Sequence, residues 1–257
     1  MKTSTIIIAA VFTATLSQTV KAVSYEALGK QWYEKRAEGA DGTSAKPEPI
    51  NKAIAYYEKA FEQSATEENA AGLLRCYYFK GSFVTMTTDE QKAIFTKGKN
   101  LGETAAKQFP SSAPVKYWLA AHYGKWAKTS GVISAAKEGV ADKIKKLSEE
   151  IIKLDTNYND AGGYEILGLV HLYSPNIPFV ITWPSNKSAL ENLKKAVQLA
   201  PTIANSFCFA QALEKAGKKE LAISILKKIS VMQPRQDKLI EDKNGLKQAA
   251  ELLAKYK

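Results

Sequence analysis

A spacing of four, three and five residues recurs five times along this chain of 257 residues, and it restricts the fold more than any other feature. It joins Ala53, Tyr57, Ala60 and Ala65, then Gly98, Gly102, Ala105 and Pro110, then Ile144, Ser148, Ile151 and Thr156. It returns at Ala189, Leu193, Ala196 and Pro201, and at Ala222, Leu226, Ile229 and Pro234. Steps of four and three place residues on one face of a helix. The small members let a neighbouring helix approach closely, and the terminal proline of three copies ends a helix that it cannot continue.

Upstream of each copy lies a second signature, an apolar residue, usually a small one next to it, and a ring or apolar residue four positions on. These are Leu28, Gly29 and Trp32; Leu73, Leu74 and Tyr77; Leu119, Ala120 and Tyr123; Leu167, Gly168 and His171; and Phe209, Ala210 and Leu213. The two signatures together describe a helix pair. They lie 25, 25, 25, 22 and 13 residues apart, and the last distance is that of an unmodified tetratricopeptide unit of about 34 residues. Successive units end 45, 46, 45 and 33 residues apart. No long run alternates with period two. The expected fold is all-α, a tetratricopeptide-like helical-repeat solenoid of about five helix pairs, four of them with enlarged insertions between their helices.

The start of the chain reads as an export segment. Lys2 precedes an uncharged stretch, Ile6 to Leu16, and Val20-Lys21-Ala22 places small residues where a signal peptidase inspects them. Eleven such residues are too few to cross a hydrocarbon core of about 30 Å. The expected division is therefore a cleaved signal peptide, 1–22, and a single solenoid, 23–257, in the periplasm or secreted. Removing Lys2 and Lys21 leaves 34 basic against 26 acidic side chains, so the charge falls from +10 to +8. The lysines of Lys143 to Lys146 and Lys194-Lys195 are interleaved with Glu149, Glu150 and Glu191, the pattern of a solvated helix face, and no nucleic-acid partner is expected.

A composition 45% hydrophobic and 24% charged excludes a disordered chain. Two cysteines and two histidines leave no set of ligands for a Cys/His zinc site. Cys76 and Cys208 fall in units two and five, too far apart along a solenoid to bridge, and are expected to be buried thiols. His122 and His171 occupy packing positions. There is no strand-turn-helix nucleophile elbow and no glycine-rich phosphate loop, so neither catalysis, cofactor nor metal is expected.

Function should then reside in the concave face and the insertions. Positions two before, two after and five after each apolar marker point inward, and they are largely aromatic and aliphatic: Tyr33, Tyr78, Tyr117, Leu169, Leu172 and Phe207, with Arg75 among the few charges. Such a lining suits an apolar or amphipathic ligand, or a partner segment with large side chains. The insertions at Gly39 to Pro49 and Lys80 to Glu90 read as loops, the second ending in a helix start at Thr87-Thr88-Asp89-Glu90. That at Gly124 to Ala141 reads as a helical extension bearing Trp126 and broken at Gly131. The insertion Ser174 to Ser185, SPNIPFVITWPS, is barred from helix by three prolines and is too apolar for a solvated loop. Its Phe179 and Trp183, with Trp126, complete the candidate binding residues.

Two blocks carry a resemblance to a known family: Tyr117 to Ala127, YWLAAHYGKWA, and Gly162 to Pro201, beginning GGYEILGLVHLYSPNIPFVITWPS. Over Tyr25 to Lys257 the chain resembles the T-component family of tripartite ATP-independent periplasmic (TRAP) transporters. That resemblance implies an exported, non-enzymatic helical protein that binds the solute-binding P-component of the transporter. It further implies a homotrimer with pores, and a hydrophobic or amphipathic ligand. Family members are often lipoproteins, whereas this sequence has no cysteine beside the cleavage site. The residues alone are equally served by an exported scaffold that binds peptide segments of envelope proteins.

Overall fold

The computed structural model describes residues 23–177, 179 and 181–256. The expected signal segment, 1–22, with its expected cleavage site, and Pro178 and Val180 of the fourth insertion, lie outside them. The described chain forms α1 (Tyr25–Glu34), α2 (Pro47–Gln63), α3 (Glu67–Phe83), α4 (Thr88–Gln108), α5 (Ala113–Ser130) and α6 (Val132–Lys137). It continues with α7 (Val140–Leu154), α8 (Tyr158–Tyr173), α9 (Asn186–Leu199), α10 (Ile203–Lys215), α11 (Lys219–Ile229) and α12 (Leu239–Ala254). Among the described residues the only extended pairings are three isolated bridges, Asp41–Ser44, Ala45–Val84 and Ile177–Ile181. No helix among them is long and apolar enough to cross a membrane.

The repeat signatures fall on five helix pairs: α1 with α2, α3 with α4, α5 with α7, α8 with α9, and α10 with α11. All three helical markers in each second helix are buried, from Ala53, Tyr57 and Ala60 of α2 to Ala222, Leu226 and Ile229 of α11. Small residues at these positions are required by contact. A Cβ on Gly98 of α4 would lie 2.1 Å from Cε1 of His122 on α5, so only glycine lets the imidazole seat there. Ser148 of α7, at the place that Gly102 holds in α4, satisfies its hydroxyl by donating to the carbonyl of Ile144 at 2.8 Å.

Polar contacts repeat with the same period. In the second unit Tyr77 donates to Glu58 at 2.7 Å and Lys97 pairs with the same carboxylate at 2.6 Å. In the third, Tyr123 donates to Glu103 at 2.5 Å and Lys143 approaches it at 3.9 Å. Buried Asn69 donates to the carbonyls of Ala60 and Ser64 at the end of α2, and buried Asn205 does the same for Ala196 and Ala200 at the end of α9. Each asparagine thereby satisfies carbonyls that a helix end leaves open, and fixes the angle at which the next helix enters. Helix starts are specified locally: Ser24, Thr66, Thr87, Ser112, Ser185 and Thr202 each accept the amide hydrogen bond of the residue three ahead, with Thr87 and Glu90 forming a reciprocal capping box.

The first two insertions are shorter loops than their composition implies: α2 already begins at Pro47, and α3 runs on to Phe83, so that Val84 to Thr87 alone separates it from the capped start of α4. The third insertion is helical and broken at Gly131, whose φ of +87° is one that a side chain rarely allows; α6 follows, and Gly139 leads into α7. The fourth is non-helical among its described residues.

One element has no counterpart in the repeat pattern. Beyond Pro234 the chain turns into α12, which packs on α10 and α11 through Leu246, Ala249 and Leu252. Its first turn reaches the other end of the molecule: Ile240 is fully buried in the cluster formed by Tyr33, Ile50, Leu73 and Phe79 of the first two units. Arg36, just after α1, pairs with Glu241 at 2.8 Å, stacks 4.4 Å from the Tyr33 ring, and donates to the carbonyl of Asp237. The stack of helix pairs is therefore closed across its concave side by its own C-terminal segment.

Candidate functional site

Closure turns the concave face into a cavity of about 840 Å³. Its wall is built from the first helix of every unit: Tyr33 of α1, Tyr78 and Phe79 of α3, Tyr117 and Trp118 of α5, Leu169 of α8 and Phe207 of α10. Val132 and Ala135 of α6 and Val140 and Ile144 of α7 extend the apolar part, and Pro175 and Ile181 of the fourth insertion cover it. The rings hold one another in place. Trp118 lies 5.4 Å from Tyr78 and 5.0 Å from Tyr117 between centroids, the latter pair edge to face at 87°. Gly162 of α8 makes room for Tyr117, since a Cβ there would approach its ring to 2.3 Å. The rim includes exposed Gly124 and Lys128.

The opposite part of the cavity is polar, and its backbone is strained. At the start of α8, Asn159, Asp160 and Ala161 all adopt left-handed conformations, φ +46°, +61° and +60°, costing about 1–2 kcal/mol each for residues with a Cβ. Neighbouring groups hold this turn. Asn205 donates to the Asp160 carbonyl at 2.8 Å, Arg235 pairs with the Asp160 carboxylate at 2.8 Å, and Lys238 donates to Asn159 Oδ1 at 3.2 Å. Arg235 is held in turn by buried Asp242, in a fork of 2.8 and 2.9 Å. The C-terminal segment thus supplies both the lid of the cavity and the counter-charges that keep its polar wall in shape.

Glu165 of α8 faces the same cavity. It is half-buried there, and burial, joined by the Asp160 carboxylate and opposed by the Cys208 hydrogen bond and the Lys238 ammonium, raises its carboxyl above the usual range. Its hydrogen-bond partner is the thiol of Cys208, 3.6 Å away. Both cysteines are buried and free, and burial pushes the Cys76 thiol up to about 12.

Of the residues that the sequence nominates for binding, Tyr33, Tyr78, Tyr117, Leu169 and Phe207 come together on the cavity wall. Arg75 stands behind it, with its guanidinium 3.9 Å from the centroid of the Tyr33 ring. Trp126 is core: it follows Leu119 by two helical turns, shares that residue's packing face, and is capped by the Lys99 ammonium at 4.3 Å. Leu172 is also core, buried among Ala189, Leu193 and Ala212. The fourth insertion separates its two aromatics. Phe179 is fully exposed with φ +64°, whereas Trp183 donates from Nε1 to Asp142 at 2.7 Å and meets His171 edge on at 5.0 Å. His122 and His171 are packing residues, His122 fully buried with Nε2 2.9 Å from the Leu74 carbonyl.

Sequence reasoning did not nominate Phe79, Trp118, Asn159, Asp160 and Glu165 of the cavity wall, nor the C-terminal segment with Arg235, Lys238, Glu241 and Asp242. The signal for that segment's helix was present in the helical spacing of Leu246, Ala249, Leu252 and Leu253, but nothing in that spacing says which other unit its first turn would reach. Among the described residues no group of three or more His, Cys, Asp or Glu side chains is arranged to hold a metal.

No protein-family model matches the chain, and no curated protein matches its sequence. Among solved structures it is similar to TTC0263, a thermophilic TPR protein of Thermus thermophilus, with a TM-score of 0.59 and 14% identity over 90% of this chain and 96% of that one. It also aligns with yeast Tom70 at a TM-score of 0.31 and 13% identity, over 98% of this chain and 70% of that one. The first likeness is one of architecture, and it agrees with the helix pairs described above: the chain has a tetratricopeptide-like helical-repeat fold.

Proposed function

We propose that the chain is a non-enzymatic binding protein whose closed concave face takes up a hydrophobic or amphipathic ligand, and that it acts in the periplasm as an accessory to a TRAP-type uptake system. The observation that carries the ligand reading is the cavity itself. A volume of about 840 Å³ walled by five aromatic-bearing first helices is within the range of small-molecule sites, and its rings are locked by mutual contact. Burying two or three apolar groups there supplies roughly 1.5–3 kcal/mol each. The transporter assignment rests on the resemblance carried by Tyr117 to Ala127 and Gly162 to Pro201, and with it the P-component partner, the homotrimer and the exported location. Fully exposed Phe179, at the tip of an insertion inside the second of those blocks, is suited to contact such a partner.

The experiment is to purify the chain from its native compartment and identify by mass spectrometry what it carries. A bound amphiphile, together with recovery of a solute-binding protein from periplasm, supports the proposal. Absence of both, with no transporter genes beside its own, defeats it. The alternative, an exported scaffold for peptide segments, draws on the tetratricopeptide-like fold and requires peptides to enter a groove that Arg235 to Gln248 already lines. Recovery of envelope peptides, with no small molecule bound, would favour that alternative.

A further inference from the structure

Four cations, Lys125, Lys128, Arg235 and Lys238, and four acids, Asp160, Glu165, Glu241 and Asp242, line the cavity, and they are unevenly paired. Asp160 and Asp242 share Arg235, and Glu241 has Arg36. Lys238 reaches Asn159 and lies in the field of Asp160 and Glu241. Lys125 stands toward the other end, its ammonium 5.4 Å from the Tyr78 ring. Glu165 is half-buried in the cavity wall without a cation within 4 Å among the described residues, feels Lys238 only at longer range, and has a weakly donating thiol as its hydrogen-bond partner. Leaving a carboxyl so poorly satisfied in a buried wall costs stability that a leucine would not. Tyr117, whose hydroxyl lies in the field of Glu165, lines the same cavity with a ring whose face attracts cations.

We propose that Glu165 is the anchor for the cationic head of the ligand, an ammonium carried on an apolar body, with the carboxylate as its counter-ion and the Tyr78, Tyr117 and Trp118 wall receiving the body. This deepens the cavity reading given above and rests on it. The arrangement selects against anionic amphiphiles of the same length, because a carboxylate head at this place would face Glu165, while Arg235 is held by Asp160 and Asp242 and Lys238 donates to Asn159.

The test uses decylamine, decanol and decanoate, which share one chain length and differ in head group, titrated calorimetrically at pH 7 into the exported chain. Decylamine should bind about tenfold or more tightly than decanol, the scale of one charge-assisted contact, and decanoate more weakly than either. Glu165→Gln should erase the preference for the amine over decanol, and Glu165→Asp should retain it. Equal binding of amine and alcohol, a preference that survives in Glu165→Gln, or tightest binding of decanoate overturns the role of Glu165 while leaving the cavity reading intact. Failure of all three probes to bind overturns the cavity reading as well.

Discussion

Arg36 and Glu241 stand 205 positions apart in the chain and 2.8 Å apart in the structure. Arg36 is buried, stacked on Tyr33 and 5.4 Å from the centroid of Phe79, and it also donates to the carbonyl of Asp237. This contact closes the first unit onto the C-terminal helix. Arg36→Ala leaves Glu241 and a backbone carbonyl without their donor. Because Glu241 is partly exposed, the loss should be about 2–3 kcal/mol rather than the larger figure for a fully buried pair. Urea denaturation measures it, and hydrogen exchange should show the first turn of α12 losing protection before α10 and α11. Uniform loss across all helices would mean that the closure is not a separable contact.

Two glycines predict opposite outcomes. Gly98→Ala drives a methyl into the His122 ring and should destabilise by roughly 1–3 kcal/mol through overpacking. Gly124→Ala lies in α5 with nothing within 4 Å of the new carbon, and should stabilise by up to about 1 kcal/mol through helix propensity. Thermal melts of the two variants decide this.

His122 predicts an acid sensitivity of defined sign. Burial lowers its pKa from an ordinary 6.5 to about 4, so between those values the unfolded chain binds a proton that the folded chain refuses. Stability present above pH 6.5 is lost as pH falls toward 4, by about 3 kcal/mol in full from this group. Glu48, Glu58 and Glu90, each held below the usual carboxylate range, add to acid loss in any variant, so the informative quantity is a difference. The gap between wild type and His122→Gln, read by urea denaturation, should narrow as pH drops from 7 to 4.5. A constant gap would show that the imidazole accepts its proton without opening the core.

Phe179 and Trp183 should separate binding from stability. Phe179→Gly removes an exposed ring and suits a φ of +64°, so stability should stay within about 0.5 kcal/mol or rise slightly. Any loss of partner capture then reports on binding. Trp183→Ser removes the hydrogen bond to Asp142 and the contact with His171, and should cost about 1–2 kcal/mol while the helical signal is kept. If Phe179→Gly unfolds the chain instead, the insertion tip is structural.

Much of the molecule was readable in the chain because its interactions recur. The markers from Ala53 to Ile229 sit where a second helix meets its partner in every unit, and one contact repeated five times leaves five copies of its requirement in the sequence. The caps at Thr66, Thr87, Ser112 and Thr202 are local and equally readable. The site was readable only in part. Tyr33, Tyr78, Tyr117, Leu169 and Phe207 were reached by periodicity, since facing inward is a property of helix phase. Trp126 shares that chemistry but not that phase, and two turns beyond Leu119 it belongs to the core.

The sequence by itself determined the helix pairs, their order and the side of each first helix that faces inward, because those depend on steps of three, four and about forty-five residues. Tertiary structure alone decided that the concave face is closed, that Arg36 meets Glu241, that three successive left-handed residues at Asn159 to Ala161 are held by Asn205, Arg235 and Lys238, and that Glu165 has no cation within 4 Å among the described residues. Each of these contacts occurs once, between residues distant in the chain, and a contact made once imposes no period by which it could be read. It exists only where the curvature of the whole stack brings its ends together.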